Sequence, residues 1–226
     1  MVTRRLSEAD HAKVSAAISG AEGKSNGEIV AVATDLSDPY HDVALHWAVI
    51  VLIAVLAWAA AFPSWLQWWF DALTGGWRPE PTLRELLTFL MVLAVLKFTA
   101  VLLILKYMPL RLALTPSATK HRRVRRRAVT VFKAAAERRT VGRTGILIYL
   151  SMGERRAEIV ADEAILKVTD EHVWGGAMEA LLADVRAGRP AEGIVAAIEK
   201  VGEVLQQHFP RSEADTNEIP DKLIEL

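Results

Sequence analysis

Two apolar runs decide the fold of this chain: VALHWAVIVLIAVLAWAAAF at residues 43–62 and LLTFLMVLAVLKFTAVLLIL at residues 86–105. Each run is 20 residues long. A helix of that length, rising about 1.5 Å per residue, matches a hydrocarbon core roughly 30 Å thick. It also satisfies the backbone N–H and C=O groups internally, as lipid requires. The two runs therefore predict a transmembrane helical hairpin over residues 43–105.

A cleaved signal peptide and a soluble helical hairpin are the other interpretations of these runs. The first run begins after 42 mostly polar residues and has no basic region directly before it, which is not the pattern of a signal peptide. The linker at residues 63–85 contains four tryptophans, which are typical of a membrane interface. We expect this linker to form an interfacial aromatic belt followed by a short turn.

Lysines and arginines are distributed unequally around the two runs. Eight lie between residues 106 and 127, whereas the linker contains only Arg78 and Arg84. The positive-inside rule therefore places the C-terminal part in the cytoplasm, and an even number of spans places the N-terminus there too. The absence of cysteine agrees with this compartment without requiring it.

Three runs in the remaining sequence predict β-strands. EIVAVAT at residues 28–34 and ILIYL at residues 146–150 are rich in Val, Ile and Leu, as expected of strands buried on both faces. A tight turn leads to a third strand at residues 156–161, antiparallel to the second. Because residues 1–42 cannot bury a strand alone, we predict that they join residues 106–226 in one split cytosolic α/β domain.

Apolar residues at helical spacing predict helices around these strands. We expect one helix within residues 1–24, one that begins near Ser117, and two near the C-terminus, the last of which begins at Pro190. A short helix at residues 164–173 should end at the Gly-Gly pair that follows it closely.

The segments together resemble a known family. AEGKSNGEIV, RTGILIYLSMGERRAEIVADEAI, VTDEHVW, GIVAAIEKVGEVLQQHFP and NEIPDKL occur in the order found in the short bacterial branch of the TPM domain family. The resemblance implies a three-layer α/β/α sandwich with a small mixed sheet, here interrupted by the two-helix transmembrane hairpin. Some relatives are linked to acid phosphatase activity or divalent-metal binding, and others to the regulation of membrane complexes.

Acidic residues after the first and third strands are candidate metal ligands. Asp35 follows the first strand and Asp162 the third, and ligands often bind beyond the carboxyl ends of strands. The resemblance matches Asp170 to an aspartate of longer relatives, although ADEAI here replaces their glycine-rich turn. If these carboxylates come together, they predict an Mg²⁺ or Ca²⁺ site that positions a phosphate ester for attack by water. The alternative is that they are solvated loop acids and helix caps.

The basic run HRRVRRR at residues 121–127 follows the second apolar run closely. Basic residues near an anionic leaflet contribute about 1 kcal/mol each to membrane binding. We therefore expect anionic lipid headgroups, and not nucleic acid, to be the partner of four arginines: Arg122, Arg123, Arg125 and Arg126. A solvated helix face is the alternative.

Lys97 interrupts the second apolar run near its middle. A lysine at the bilayer centre costs about 3 kcal/mol on insertion scales. Lys97 should therefore either reach water by snorkelling or local hydration, or contact another chain, in a homo-oligomer or in a complex with another membrane protein.

These observations predict a multi-pass protein of the bacterial inner membrane with both termini in the cytoplasm. We expect its TPM-like domain to act as a binding or regulatory module for a membrane partner. A divalent-metal-assisted phosphatase that uses the loop carboxylates is the alternative.

Overall fold

The computed structural model of the protein describes residues 6–75, 80–135, 144–169, 171–212 and 219–226, with the backbone alone for residues 171 and 172. The chain divides into two compact units. One consists of Met1–Pro39 with Ser117–Leu226, and the other of Tyr40–Pro116. The described elements, in chain order, are α1 (Glu8–Glu22), β1 (Glu28–Thr34), α2 (His41–Ala61), α3 (Pro63–Thr74), α4 (Leu83–Ile104), α5 (Met108–Ala113), α6 (Ser117–Ala135), β2 (Gly145–Ser151), β3 (Arg156–Ala161), α7 (Glu163–Leu166), α8 (Glu171–Arg186), α9 (Pro190–His208) and β4 (Leu223–Glu225).

The first unit is built on a mixed four-stranded sheet with the strand order β3-β2-β1-β4. β1 pairs in parallel with both β2 and β4, and β2 pairs antiparallel with β3. All seven residues of β1 and all seven of β2 are buried. The predicted small mixed sheet and its antiparallel second and third strands are confirmed.

Alternate residues of β1 face two separate cores, because successive side chains of a strand point to opposite faces. Ile29 and Ala31 pack with apolar residues of α1, α8 and α9, such as Ile18. Val30 and Val32 pack with residues of α6. Helices therefore cover both faces of the sheet, and the predicted three-layer α/β/α sandwich is confirmed.

One local prediction for this unit was wrong, and one strand was not predicted. The short helix expected at residues 164–173 is only Glu163–Leu166, and the glycine pair expected to end it lies inside α8. A glycine in a helix interior costs about 1 kcal/mol relative to alanine, so burial of Leu181 and Ala177 against the sheet outweighs the local preference. The three-residue strand β4 was not predicted, because it is too short to carry an apolar pattern.

The second unit is a hairpin in which α2 packs along α4. The two helices have 21 and 22 residues, and they begin two and three residues earlier than the apolar runs at residues 43 and 86. The earlier start of α4 has a clear cause. Thr82 Oγ1 accepts a hydrogen bond from Glu85 N at 3.3 Å, and Glu85 Oε2 accepts one from Thr82 N at 2.9 Å, which forms a capping box.

The linker between the two long helices contains the 12-residue helix α3, where the sequence predicted only an aromatic belt and a turn. Pro63 is at its start, where a missing N–H is harmless. Gly75, with φ of 88°, ends it in the left-handed region.

Candidate membrane-binding site

The long helices of the hairpin expose their apolar side chains. In the most apolar 18 residues of each helix, only 22% in α2 and 6% in α4 are buried. Leu45, Ile50 and Ile53 of α2 are more than half exposed, and so are Met91 and Leu96 of α4. A core helix of a soluble protein would bury most of such residues, and soluble surfaces rarely carry a contiguous apolar area this large. Both helices are long and apolar enough to cross a membrane.

The buried positions within the hairpin are mainly small. Ala48 and Ala59 of α2 and Ala94 of α4 are almost fully buried. Ala48 and Ala59 are 11 residues apart, about three helical turns, so they lie on one face of α2. Small residues at a helix contact allow close backbone approach, which is the usual packing of helices in lipid.

Lys97 lies on the exposed surface of α4. It is roughly 5 Å along the helix axis from the middle of α4, on the side of Ile104. Among the residues that the structure describes, no carboxylate forms an ion pair with it. The hairpin itself therefore supplies no described counter-charge for this lysine.

The four arginines that were predicted to bind lipid lie on the basic helix α6 and form two pairs with different surroundings. Val124, Ala128 and Phe132 form its buried stripe. Arg122 and Arg126 are exposed on the opposite side, together with the exposed Lys133.

The other two arginines form ion pairs within the α/β unit, although the Arg125 side chain remains exposed. Arg123 Nη1 lies 2.7 Å from Asp38 Oδ1, and Arg125 Nη1 lies 3.9 Å from Glu158 Oε2. His121 Nδ1 is 3.1 Å from the other oxygen of Glu158. Burial raises the pKa of Glu158, an effect that the positive charges of His121, Arg125 and Arg156 oppose.

The structure places Asp35 and Asp162 at opposite ends of the sheet. β1 and β2 end together, where Thr34 is level with Ser151, and Asp35 follows there. β3 runs the other way and ends at Ala161 beside Ile146, near the start of β2. Strands of this length separate the two ends by roughly 20 Å. The two carboxylates therefore cannot bind the same metal ion.

Asp162 is buried, and its carboxylate is hydrogen-bonded to the backbone. Its Oδ2 accepts a hydrogen bond from Gly145 N at 3.0 Å, and its own N donates to Gly145 O at 2.9 Å. Asp35 is exposed. Asp170 lies outside the described residues, so a metal site that uses it stays a prediction. Within the described ranges, no group of three or more His, Asp or Glu side chains is arranged to hold a metal ion.

A buried polar cluster that the sequence reasoning missed lies at the Asp35 end of the sheet. Glu154 Oε1 accepts from Ser37 N at 2.9 Å, and its other oxygen accepts from Ser151 Oγ. Ser37 Oγ and Tyr149 OH share a hydrogen bond of 3.1 Å, and burial raises the pKa of Tyr149. The cluster fastens the loop after β1 to the β2–β3 turn.

Gly153 in that turn is required by space. A Cβ there would lie 2.6 Å from Asp35 O, and Gly153 N donates to the same oxygen at 2.8 Å. Sequence spacing could not predict the contacts of Gly153 and Glu154 with the loop after β1, because the two segments are far apart in the chain.

Glu22 is a second buried acid that the sequence did not reveal. Its Oε1 accepts a hydrogen bond from Ile29 N at 2.7 Å. Burial, aided by the negative charges of Glu28 and Asp221, raises its pKa to about 9. Glu22 therefore carries a proton at neutral pH.

Comparison with known proteins gives a consistent result. The model of the TPM domain matches residues 108–204. The NMR structure of the BA42 protein from the psychrophilic bacterium Bizionia argentinensis is similar in fold, with a TM-score of 0.57, 17% identity, and coverage of 100% of this chain and 99% of that chain. No curated protein matches the chain.

The family match begins after the long helices and does not include β1, although β1 lies in the interior of the same sheet. The structural likeness extends over the whole chain and supports the same fold. The resemblance found in the sequence is thus confirmed by the match of residues 108–204 to the TPM domain.

Proposed function

We propose that this protein is a two-span inner-membrane protein whose TPM domain is a cytosolic binding or regulatory module for a membrane partner. The observation that carries the proposal is the exposure of the apolar side chains of α2 and α4. A lipid bilayer surrounds a helical hairpin and removes such apolar surface from water on every side.

The basic face of α6 supports the orientation. Arg122, Arg126 and Lys133 are exposed on one side of that helix, which begins shortly after the second long helix ends. A cytoplasmic leaflet rich in anionic lipid attracts such a face, and the positive-inside rule places it on that side.

Lys97 supports the choice of a module that acts through a membrane partner. It has no described counter-charge in its own hairpin, and a carboxylate from another chain is one of the groups that stabilise a lysine within a span. The described carboxylates of the α/β unit do not form the shared metal site that the phosphatase alternative needs, because Asp35 and Asp162 lie at opposite sheet ends.

The absence of cysteine allows a direct test of topology. Ser64→Cys places one thiol in the linker between the spans, and Glu199→Cys places one at an exposed position of α9. A membrane-impermeant maleimide added to intact bacterial cells should label the first variant and not the second, and both should react after lysis. Labelling of Glu199→Cys in intact cells would reverse the orientation. Release of the chain by alkaline carbonate would contradict integration.

A second experiment tests the partner contact. Lys97→Leu should leave insertion intact and abolish co-purification of a partner, or self-association, in mild detergent. Lys106→Leu, the same change at an exposed position just beyond α4, is the matched control and should retain assembly. Assembly that survives Lys97→Leu would show that Lys97 is only hydrated or snorkelling.

A further inference from the structure

The helix α3 (Pro63–Thr74) carries three different faces around its axis. Leu66 is 7% exposed and Phe70 packs edge-on against Phe89 of α4, with ring centres 5.6 Å apart. These two residues, one turn apart, form the face that contacts the hairpin.

Polar residues follow a second face. Ser64, Gln67, Asp71 and Thr74 recur at intervals of three and four residues, and all four are exposed. Such spacing aligns them along one side of a helix.

Tryptophans form the third face. The rings of Trp65 and Trp69 are 6.4 Å apart, and those of Trp68 and Trp69 are 5.2 Å apart, both in edge-to-face arrangements. Trp68 is 61% exposed and Trp69 is 41% exposed. Three large indoles thus form one cluster whose outer surface no described part of the chain covers.

The tryptophan cluster continues the exposed apolar surface of α2. Trp58 and Phe62, at the end of α2, are both about half exposed, and their ring centres are 4.6 Å apart. A series of aromatic residues therefore runs from the last turn of the first long helix into α3. Tryptophan combines a large apolar ring with an N–H donor, which suits the boundary between headgroups and acyl chains.

We infer that α3 lies in the plane of the membrane interface, at the end of the hairpin where α2 and α4 are joined, with its tryptophan face in lipid and its polar face in water. Helices of this kind insert their apolar face about 5–10 Å into the headgroup boundary. The exposed indole surface therefore contacts phospholipid at the membrane interface. The inference depends on the proposed membrane integration, and it adds that the linker anchors the hairpin at a fixed depth.

The test uses single cysteines labelled with an environment-sensitive fluorophore, in the full chain reconstituted into vesicles of phosphatidylethanolamine and phosphatidylglycerol. Trp68→Cys reports the indole face and Gln67→Cys, its neighbour, reports the polar face. Ile53→Cys reports the exposed surface of α2. Brominated lipids quench from positions near the glycerol backbone or near the acyl-chain end, and iodide quenches from water.

Shallow brominated lipid should quench the label at position 68 more than deep lipid does, whereas iodide should quench the label at position 67 most. Equal iodide quenching at positions 67 and 68 would overturn the interfacial helix. So would protection of position 68 from both quenchers, which would indicate a protein contact. Deep quenching at position 53 shows that the span itself is intact, so loss of quenching there would refute the proposed membrane integration and not only the placement of α3.

Discussion

Every residue of β1 and β2 is buried in the α/β unit, whereas Leu45, Ile50 and Ile53 of α2 expose more than half of their surface. Both regions are built from the same aliphatic side chains. In one region the chain itself removes them from water, and in the other only an external apolar phase can do so. The contrast teaches that apolar composition predicts burial, but not what provides it.

The largest expected effect comes from truncating one isoleucine in each region. Ile148→Ala, at a residue 1% exposed, should lower the free energy of unfolding by about 2–5 kcal/mol because it leaves a cavity in β2. Ile53→Ala, at a residue 59% exposed, should change it by no more than about 0.5 kcal/mol. Thermal unfolding of the detergent-purified variants measures both. Equal losses would mean that α2 packs against protein.

A charge tests the external phase directly. Ile53→Asp should raise the free energy of membrane insertion by about 3–4 kcal/mol, because an unfavourable aspartate replaces a favourable isoleucine well inside α2. The chain fraction that resists carbonate extraction measures this, with Ile53→Leu as the control. A soluble surface would accept the aspartate without loss, and that result would remove the contrast between the two regions.

The folding stability of the α/β unit should also depend on pH, because of Glu22. Its folded-state pKa of about 9 lies above its ordinary value of 4.5, so the folded chain retains a proton that the unfolded chain releases. The stabilisation is complete below pH 4.5 and is lost as pH rises through about 9, with a slope of up to about 1.4 kcal/mol per pH unit. Glu22→Gln removes the ionisable carboxyl group and, with it, this pH-dependent stabilisation. The melting temperature of the original chain, relative to that of the variant, should therefore fall as pH rises, and a constant difference would refute the buried acid.

Two of the three predicted metal ligands, Asp35 and Asp162, provide a smaller contrast within the sheet. Asp162→Ala should cost about 1–3 kcal/mol, because Gly145 N would lose its buried acceptor. Asp35→Ala, at an exposed position, should stay within about 0.5 kcal/mol. Calorimetric titration with Mg²⁺ or Ca²⁺ completes the test. Loss of one saturable binding event in both variants would show that the two carboxylates share an ion after all.

The smallest effect concerns lipid selectivity. Each of the single variants Arg122→Gln and Arg126→Gln should weaken the interaction with anionic lipid by about 1 kcal/mol. The measurement is the amount of phosphatidylglycerol that co-purifies with each variant. Arg186→Gln, at an exposed position on α8, is the control of equal charge. An equal loss of lipid in the control would assign the effect to net charge and not to the face of α6.

The parts of the fold that the sequence predicted are those governed by local pattern. The run at residues 28–34 is apolar, bounded by Gly27 and Asp35, and it is β1 without a change of bounds. The long apolar runs became helices for the same reason, since their length and composition leave few alternatives.

The parts that were missed depend on partners far apart in the chain. Glu154 is bound by Ser37 across 117 residues, and no spacing in the sequence reveals that contact. The separation of Asp35 from Asp162 has a different reason. Antiparallel pairing of the second and third strands was predicted correctly, and with β1 parallel to β2 it places the end of the third strand at the start of the first.

The interior position of β1 has a consequence for how the protein is made. Thr144 Oγ1 donates to Asn26 O, a partner 118 residues earlier in the chain. At about 5–20 residues per second, a ribosome needs on the order of ten seconds to reach Thr144 after residue 26 has been synthesised. During that interval the first strand has left the ribosome without a neighbour, and the hairpin is synthesised in between. Insertion of the hairpin would then hold the early segment at the membrane surface until the strand that completes it arrives.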